Sequence, residues 1–285
     1  MDRKQLASLR ICAQKLTPQS QKKLEKKCVG QCPSNQQKLQ AVFLLKQRWP
    51  KNAKIRIGFI GDGNSTPRTP DSDLKSATSK IDPLQAKIKG LSAIDMVKTV
   101  VNERIIPLVN LDIKFVDNPR DANIRISFDP DKGSWSYLGT DCLNIEYPEP
   151  TLNLGWLDCS VILHEASHSL AMAHEQANPK GESIQWNRER VLQWAKTTQG
   201  WDTQTTETNI LSRYNLNEIN GSEFDPASIM LYFFPAYLTM NNKGTNQNLR
   251  LSGDDVIWLY NNYPRDDITP AEFYMRVYGE DISAS

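Results

Sequence analysis

The sequence predicts an α+β protein in which helices pack on a twisted mixed sheet. Residues 54–60, 111–117 and 122–129 alternate apolar and polar side chains, as half-buried strands do. Residues 93–109 and 158–170 instead carry apolar residues at helical spacing. The elements therefore follow the order strand, helix, strand, strand, helix, which favours helices packed on one mixed sheet.

Local signals set the limits of the individual elements. KIRIGFI (54–60) is followed by a turn-rich loop, and Pro107 should end the helix that begins near residue 93. Asn118 and Pro119 form a turn between the next two strands. Two shorter strand candidates and two further helices complete the pattern: LNIEYP (143–148), TLNLGW (151–156), 186–198 and 253–263.

Length and composition exclude several classes of protein. The chain has 285 residues, enough for one large domain or two modest ones, with 39% apolar and 24% charged residues. This balance excludes collagen-like and wholly disordered proteins. No apolar run approaches the roughly 18 residues of a membrane span. The first 16 residues lack the apolar core of a signal peptide. If this N-terminus is complete, we do not expect classical secretion, and the location stays open.

Charge divides the chain into a basic start and an acidic remainder. Fourteen Lys and Arg residues and two acids precede Ile57, and the whole chain has a net charge of +1. We therefore separate a basic N-terminal arm (1–36, two short polar helices) from a main domain (37–265) and a C-terminal tail (266–285). The arm could be a solvated surface, a tether, an inhibitory segment or a polyanion-binding segment. We do not expect a nucleic-acid partner, because no aromatic residues interleave with the arm's positive charges. The oligomeric state stays open.

Five cysteines are too few, and odd in number, for a disulfide scaffold. Cys142 and Cys159 flank the strands before the helix at 158–170 and could pair in an oxidising compartment. Cys28 and Cys32 could pair or bind metal with Cys12, but no fourth ligand completes a zinc set. Free buried thiols are the alternative.

All three histidines of the chain lie within eleven residues, in HEASHSLAMAHE (164–175). On a helix, His164 and His168 share one face, and Glu165 lies next to that face. His174 can join them only if the chain leaves the helix near residues 170–171 and folds back. Three neutral imidazoles with an open fourth position form the catalytic arrangement for Zn²⁺. We therefore predict one zinc ion on these histidines.

These residues resemble the extended zinc signature HExxHxxGxxH of the metzincin metallopeptidases. Glu175, directly after the third histidine, is similar to the astacin branch. DPASIMLY (225–232) resembles the Met-turn of this group, with Met230 as its methionine and Tyr232 two residues later. The resemblance extends from about residue 49 to 264. One residue departs from the signature, because Ala171 stands where metzincins have Gly.

The resemblance implies a zincin-like (metzincin) fold. Long helices and the sheet would lie on the N-terminal side of a cleft, with a smaller, mainly helical and irregular subdomain on the other. It implies a zinc-dependent endopeptidase with Glu165 as general base and acid, Tyr232 as oxyanion support and Met230 as a structural floor. Peptide or protein substrates would add as a strand beside GSWSYLG (133–139). The alternative is a weakly active or inactive protein of this fold whose basic arm binds a polyanion.

Overall fold

A computed structural model describes residues 11–15, 17, 47–77, 79–178, 184–212 and 224–284. Most of the two polar helices expected in the arm, including Cys28 and Cys32, lies outside these residues. In the part of the arm that is described, residues 13–15 form a strand rather than a helix. A strand forms here because the arm pairs with the edge of the sheet.

Six short strands form one mixed sheet. They are β1 (Ala13–Lys15), β2 (Lys54–Ile60), β3 (Asp112–Phe115), β4 (Ile124–Ser127), β5 (Trp135–Tyr137) and β6 (Leu152–Asn153). Their spatial order is β1-β5-β6-β4-β2-β3, and every pair is parallel except β5 with β6. The mixed sheet of the predicted α+β class is confirmed.

The described helices lie between and after these strands. They are α1 (Asp71–Lys75), α2 (Leu84–Ile88), α3 (Ala93–Val100), α4 (Cys159–Ser169), α5 (Arg188–Thr198), α6 (Thr203–Thr206), α7 (Gly253–Asn262) and α8 (Pro270–Tyr278). Helix α3 continues as a π-helical turn to Ile105, two residues before Pro107. Within the described ranges no strand follows β6, so the second half is helical and irregular as expected. None of the described helices has the length and apolar character needed to cross a membrane.

The main core lies between the sheet and helices α3 and α4. Ile55 of β2, Val100 of α3 and Leu163 of α4 are completely buried there. Removing such side chains from water is the main stabilising contribution to the fold. Helix α4, which carries the first two histidines, is thereby fixed against the sheet.

The C-terminal segment 266–284 packs on the body through helix α8. A capping box of Thr269 and Glu272 begins this helix, and Gly279 ends it in a left-handed conformation. Phe273 and Tyr274 are fully buried. The Tyr278 hydroxyl donates to the Asp82 carboxylate at 3.1 Å, so this segment contributes to the folded body.

The strand predicted at 143–148 is wrong, because residues Gly139–Asn144 form a 3-10 helix and no strand follows before β6. The buried Arg125 guanidinium explains the difference. It donates to the Ile145 carbonyl at 2.6 Å and to the Glu149 carbonyl at 2.7 Å. Those carbonyls are therefore satisfied by a side chain instead of a neighbouring strand.

Candidate metal centre

Helix α4 presents His164 and His168 from a buried position. Its N-cap Asp158 accepts a hydrogen bond from the Val161 amide at 2.9 Å and from the Thr69 hydroxyl at 2.5 Å. The two imidazole centroids are 4.7 Å apart, as expected for side chains one turn apart. The helix therefore places two ring nitrogens on the same side of a rigid, buried element.

A left-handed turn at Ala171 redirects the chain towards His174. The Ala171 amide donates to the His168 carbonyl at 2.8 Å, and the Met172 amide donates to the Ser167 carbonyl at 3.0 Å. This is the Schellman pattern, with Ala171 at φ +69° in the position that usually holds Gly. The departure from the metzincin signature therefore leaves the turn intact, at a conformational cost of about 1–2 kcal/mol.

Contacts from distant parts of the chain stabilise this turn. The Trp49 indole N–H donates to the Ser169 carbonyl at 2.8 Å, and the Tyr263 hydroxyl donates to the Leu170 carbonyl at 2.9 Å. Gly139 leaves the room that Ala171 needs, because a Cβ added at residue 139 would lie 2.9 Å from the Ala171 Cβ. The Trp49 and Tyr263 side chains therefore satisfy helix-end carbonyls that otherwise lack partners.

Backbone carbonyls fix the tautomers of the two helical histidines. Nδ1 of His164 contacts the Ile229 carbonyl at 2.8 Å, and Nδ1 of His168 contacts the Met172 carbonyl at 2.7 Å. A carbonyl only accepts, so each Nδ1 carries the proton and each Nε2 has a free lone pair. Burial lowers the pKa of His164 to about 4 and lowers the pKa values of His168 and His174 well below their usual range. All three imidazoles are therefore neutral at pH 7.

The three histidines fit a metal ion. One potential ligand atom from each lies within 4.8 Å of the others, and Nε2 of His168 is 2.8 Å from Nε2 of His174. Nε2 of His164 is buried and has no hydrogen-bond partner among the described residues. Three imidazoles that converge with free lone pairs are the donor set that Zn²⁺ prefers, with bonds of about 2.0–2.1 Å.

Glu165 lies beside this cluster and is completely buried. Neither of its carboxylate oxygens has an N–H or O–H partner within the described part of the chain. Burial raises the pKa of this carboxyl well above its usual range. An otherwise unpaired buried carboxyl next to a candidate metal centre suits a proton acceptor more than a structural role.

Tyr232 contacts two of the histidines, and Met230 is buried two residues before it. Met230 is 1% exposed, and its carbonyl accepts a hydrogen bond from the Glu175 amide at 3.0 Å. The Tyr232 ring stacks on His164 with centroids 5.5 Å apart. Its hydroxyl lies against Nε2 of His174 and donates to the Cys12 carbonyl. The structure therefore brings together the three histidines, Glu165 and Tyr232, and buries Met230 in the adjoining loop.

A partly buried carboxyl, Glu175, and a buried one, Asp255, support the loop that holds Met230. Glu175 accepts hydrogen bonds from the Asp225 amide at 2.9 Å and the Asn178 side chain at 2.8 Å. Asp255 accepts from the Ser228 hydroxyl at 2.6 Å and the Ile229 amide at 2.7 Å. Burial raises the pKa of Glu175 to about 8 and that of Asp255 to about 7.

Sequence reasoning missed Asp255. Its available signal was the pattern Ser252-x-x-Asp255, a capping box that begins helix α7.

Sequence reasoning considered Cys12 only with Cys28 and Cys32 and missed its place at this centre. The thiol, His164 and Glu165 form a second cluster whose ligand atoms lie within 4.8 Å of one another. Burial, followed by the Glu165 charge, raises the pKa of this thiol well above its usual range. The following residues form β1, parallel to β5, and the Ala13 amide donates to the Ser134 carbonyl at 3.0 Å. The arm therefore occupies the edge where the resemblance places a substrate.

The other described cysteines are separate from this centre. Cys142 and Cys159 are free and buried, so the structure favours the free-thiol interpretation over a pair. Burial raises the pKa of Cys142 to about 12 and that of Cys159 well above its usual range. Both are poor nucleophiles at neutral pH because the thiolate is the reactive form.

Comparison with known proteins supports the fold. No family profile and no curated protein matches the chain. One structure of myroilysin is 26% identical with a TM-score of 0.59, covering 78% of this chain and 98% of myroilysin. A second is 23% identical with a TM-score of 0.53, covering 91% and 93%.

A hatching enzyme zinc-protease (HCE-1) from the medaka fish Oryzias latipes is more distant, at 16% identity and a TM-score of 0.44, with coverage of 81% and 96%. The two myroilysin structures therefore carry the comparison. The chain has the zincin-like α+β fold expected from its sequence.

Proposed function

We propose that this protein is a zinc-dependent endopeptidase. The observation that carries the proposal is the convergence of three neutral imidazoles, two of them with fixed Nδ1–H tautomers, beside the buried carboxyl of Glu165. His164, His168 and His174 would hold one zinc ion. The strand edge at β5, next to this centre, is suited to an extended peptide because main-chain hydrogen bonds can form along it.

Each side chain has a distinct role in this proposal. A bound zinc ion would lower the pKa of a water ligand and polarise the scissile carbonyl. Glu165 accepts a proton from the attacking water and later delivers it to the leaving amine. Tyr232 donates its hydroxyl hydrogen bond to the oxygen that becomes negatively charged. Met230 packs beneath the histidines and takes no part in proton transfer.

The arm makes this form of the protein latent. Cys12 places its thiol beside His164 and Glu165, and its carbonyl accepts the hydrogen bond of Tyr232. The adjoining strand β1 occupies the outer edge of β5. Substrate and arm therefore compete for one place, and hydrolysis requires displacement of the arm. This proposal assigns the arm the inhibitory role among those left open by its charge.

Peptide hydrolysis by two full-length variants tests the function. Cys12→Ala weakens binding of the arm at the metal centre. The double variant Cys12→Ala/Glu165→Gln differs from Cys12→Ala only in the proposed general base. Both should contain one zinc per chain. The first should cleave quenched peptides within their sequence, with loss of cleavage on chelation, and the second should be slower by at least about 100-fold. Equal cleavage by both variants would refute the role of Glu165.

The same samples distinguish the alternative function. If both variants bind zinc and neither cleaves any peptide, while the arm binds a polyanion, the protein is better described as a binding protein of this fold. If neither variant binds zinc, the metal centre itself is refuted. The stoichiometry is therefore measured on the samples used for hydrolysis.

A further inference from the structure

The arm shows which chemistry the edge of the cleft can recognise. The amino group of Lys15 lies 3.1 Å from the centroid of the Trp135 indole ring. Trp135 is 4% exposed but lies outside the main apolar core cluster of the described residues. Tyr137 contacts its ring edge-to-face at 5.9 Å. Displacement of the arm would therefore uncover an indole face on the edge strand.

Register relates this indole to the metal centre. Ala13 pairs with Trp135 and Lys15 pairs with Tyr137 along β5, and Cys12 lies beside His164. Side chains of a strand alternate between two faces, so Ala13 and Lys15 share the face of Trp135 and Tyr137. Lys15 leans back over Trp135 from the third position after Cys12.

Two charged neighbours of Lys15 shift the pKa of its amine in opposite directions. Burial and Lys132 lower the pKa of the Lys15 amine to about 8, and Glu149 opposes this shift. The amine therefore keeps its proton at neutral pH. A positive charge over the face of a tryptophan ring is attracted by the ring quadrupole, most strongly when partly desolvated.

We propose that the Trp135 face is a substrate subsite selective for a lysine or arginine side chain. This side chain belongs to the third residue from the one bound at the metal, counted in the direction in which β5 runs, as Lys15 is the third residue after Cys12. The inference rests on the proposed endopeptidase function. Lys15 occupies this subsite in the latent form, so the arm and a basic substrate use the same contact. The positive charge of Lys132 weakens the selectivity for a basic side chain, and the negative charge of Glu149 strengthens it.

The first test measures release of the arm and needs no enzymatic activity. The full-length, zinc-loaded protein is treated with a thiol reagent, and labelling of Cys12 is followed by mass spectrometry. Lys15→Arg should label at the wild-type rate, Lys15→Met about three times faster and Lys15→Glu about ten times faster. In a Trp135→Leu background these differences should disappear. Lys132→Gln should slow labelling because it removes a repulsive charge.

The second test measures the substrate preference in the Cys12→Ala protein. Peptides carry lysine, norleucine or glutamate at the proposed position, and mass spectrometry locates the cleaved bond. Lysine should be favoured over norleucine by about three- to tenfold in kcat/KM, and Trp135→Leu should remove the preference. Trp135→Phe is the matched control, because its weaker aromatic face should retain a reduced preference.

The two tests separate failure of this inference from failure of the function. The proposed subsite would be overturned if substitution of Lys15 or Trp135 does not change the rate of Cys12 labelling and the rate of hydrolysis does not depend on the basic residue of the peptide. The proposed endopeptidase function would then remain intact. Absence of all hydrolysis would refute the function, whereas the labelling series would still report whether Trp135 binds a cation. A preference for glutamate at this position would also overturn the inference.

Discussion

Replacing Asp255 should destabilise the protein much more than replacing its neighbour Asp254. Oδ2 of Asp255 accepts from the Ile229 amide at 2.7 Å and the Ser252 amide at 3.0 Å, and Oδ1 accepts from the Ser228 hydroxyl at 2.6 Å. Asp255→Ala leaves two buried N–H groups without an acceptor. At about 1–3 kcal/mol for each group, we expect a loss of about 2–6 kcal/mol.

Two variants make this expectation specific. Asp255→Asn keeps an oxygen for both amides, and its NH₂ can donate to the Ser228 hydroxyl, so its cost should stay below about 1 kcal/mol. Asp254 is exposed, and Asp254→Ala should change stability by no more than about 0.5 kcal/mol. Urea unfolding followed by tryptophan fluorescence measures all three. Asp255→Ala as stable as Asp254→Ala would refute the reasoning.

The pH dependence follows from the raised pKa of Asp255, about 7 in the folded protein. The ordinary value of about 3.9 applies to the unfolded chain, so the folded protein binds more protons between these values. The contribution of this carboxyl to stability is therefore complete below about pH 4 and is lost as the pH rises through about 7. Asp255→Asn lacks this loss. Its stability relative to wild type should increase between pH 5 and pH 8, and a decrease would contradict the assignment.

Three further predictions concern other parts of the molecule. The Glu280 carboxylate pairs with Arg250 at 2.7 Å, and this pair, with the other contacts of Glu280, lowers the pKa of Glu280 to about 2. The stabilisation that the carboxylate contributes should therefore be lost as the pH falls from about 4 to about 2. Acid unfolding of Glu280→Gln should lack this component. Ala171→Val should cost at least about 2 kcal/mol in thermal unfolding and weaken zinc binding, because a β-branched residue is strained at φ +69°. Asp82→Ala should cost about 3–5 kcal/mol in urea unfolding, because the fully buried carboxylate pairs with Arg104 at 2.8 Å; a cost below 1 kcal/mol would contradict it.

Local sequence predicts the elements that surround the centre. Strand β2 has the predicted bounds, and helix α4 begins and ends within one residue of its prediction. The histidine spacing correctly requires the chain to turn near Ala171. These features were accessible because helical and strand periodicity are local properties of the sequence.

Long-range contacts were not accessible from the sequence. Trp49 and Tyr263 each donate to a carbonyl at the end of α4, across 120 and 93 residues. Cys12 reaches His164 and Glu165 only because β1 pairs with β5, and no local pattern specifies that pairing. The basic charge of the arm distinguishes it in the sequence from the acidic remainder but does not show where it binds.

X-ray absorption at the zinc edge tests the central claim most directly. The Cys12 thiol lies within 4.8 Å of a ligand atom of His164, so in the latent form it should supply a fourth ligand to the zinc ion. The protein should therefore bind one zinc ion, with three nitrogen ligands at about 2.0–2.1 Å and one sulfur at about 2.3 Å. Cys12→Ala should lose the sulfur, keep the three nitrogens and gain peptide hydrolysis. A zinc environment that contains no histidine nitrogen, or that keeps its sulfur in Cys12→Ala, would contradict the account.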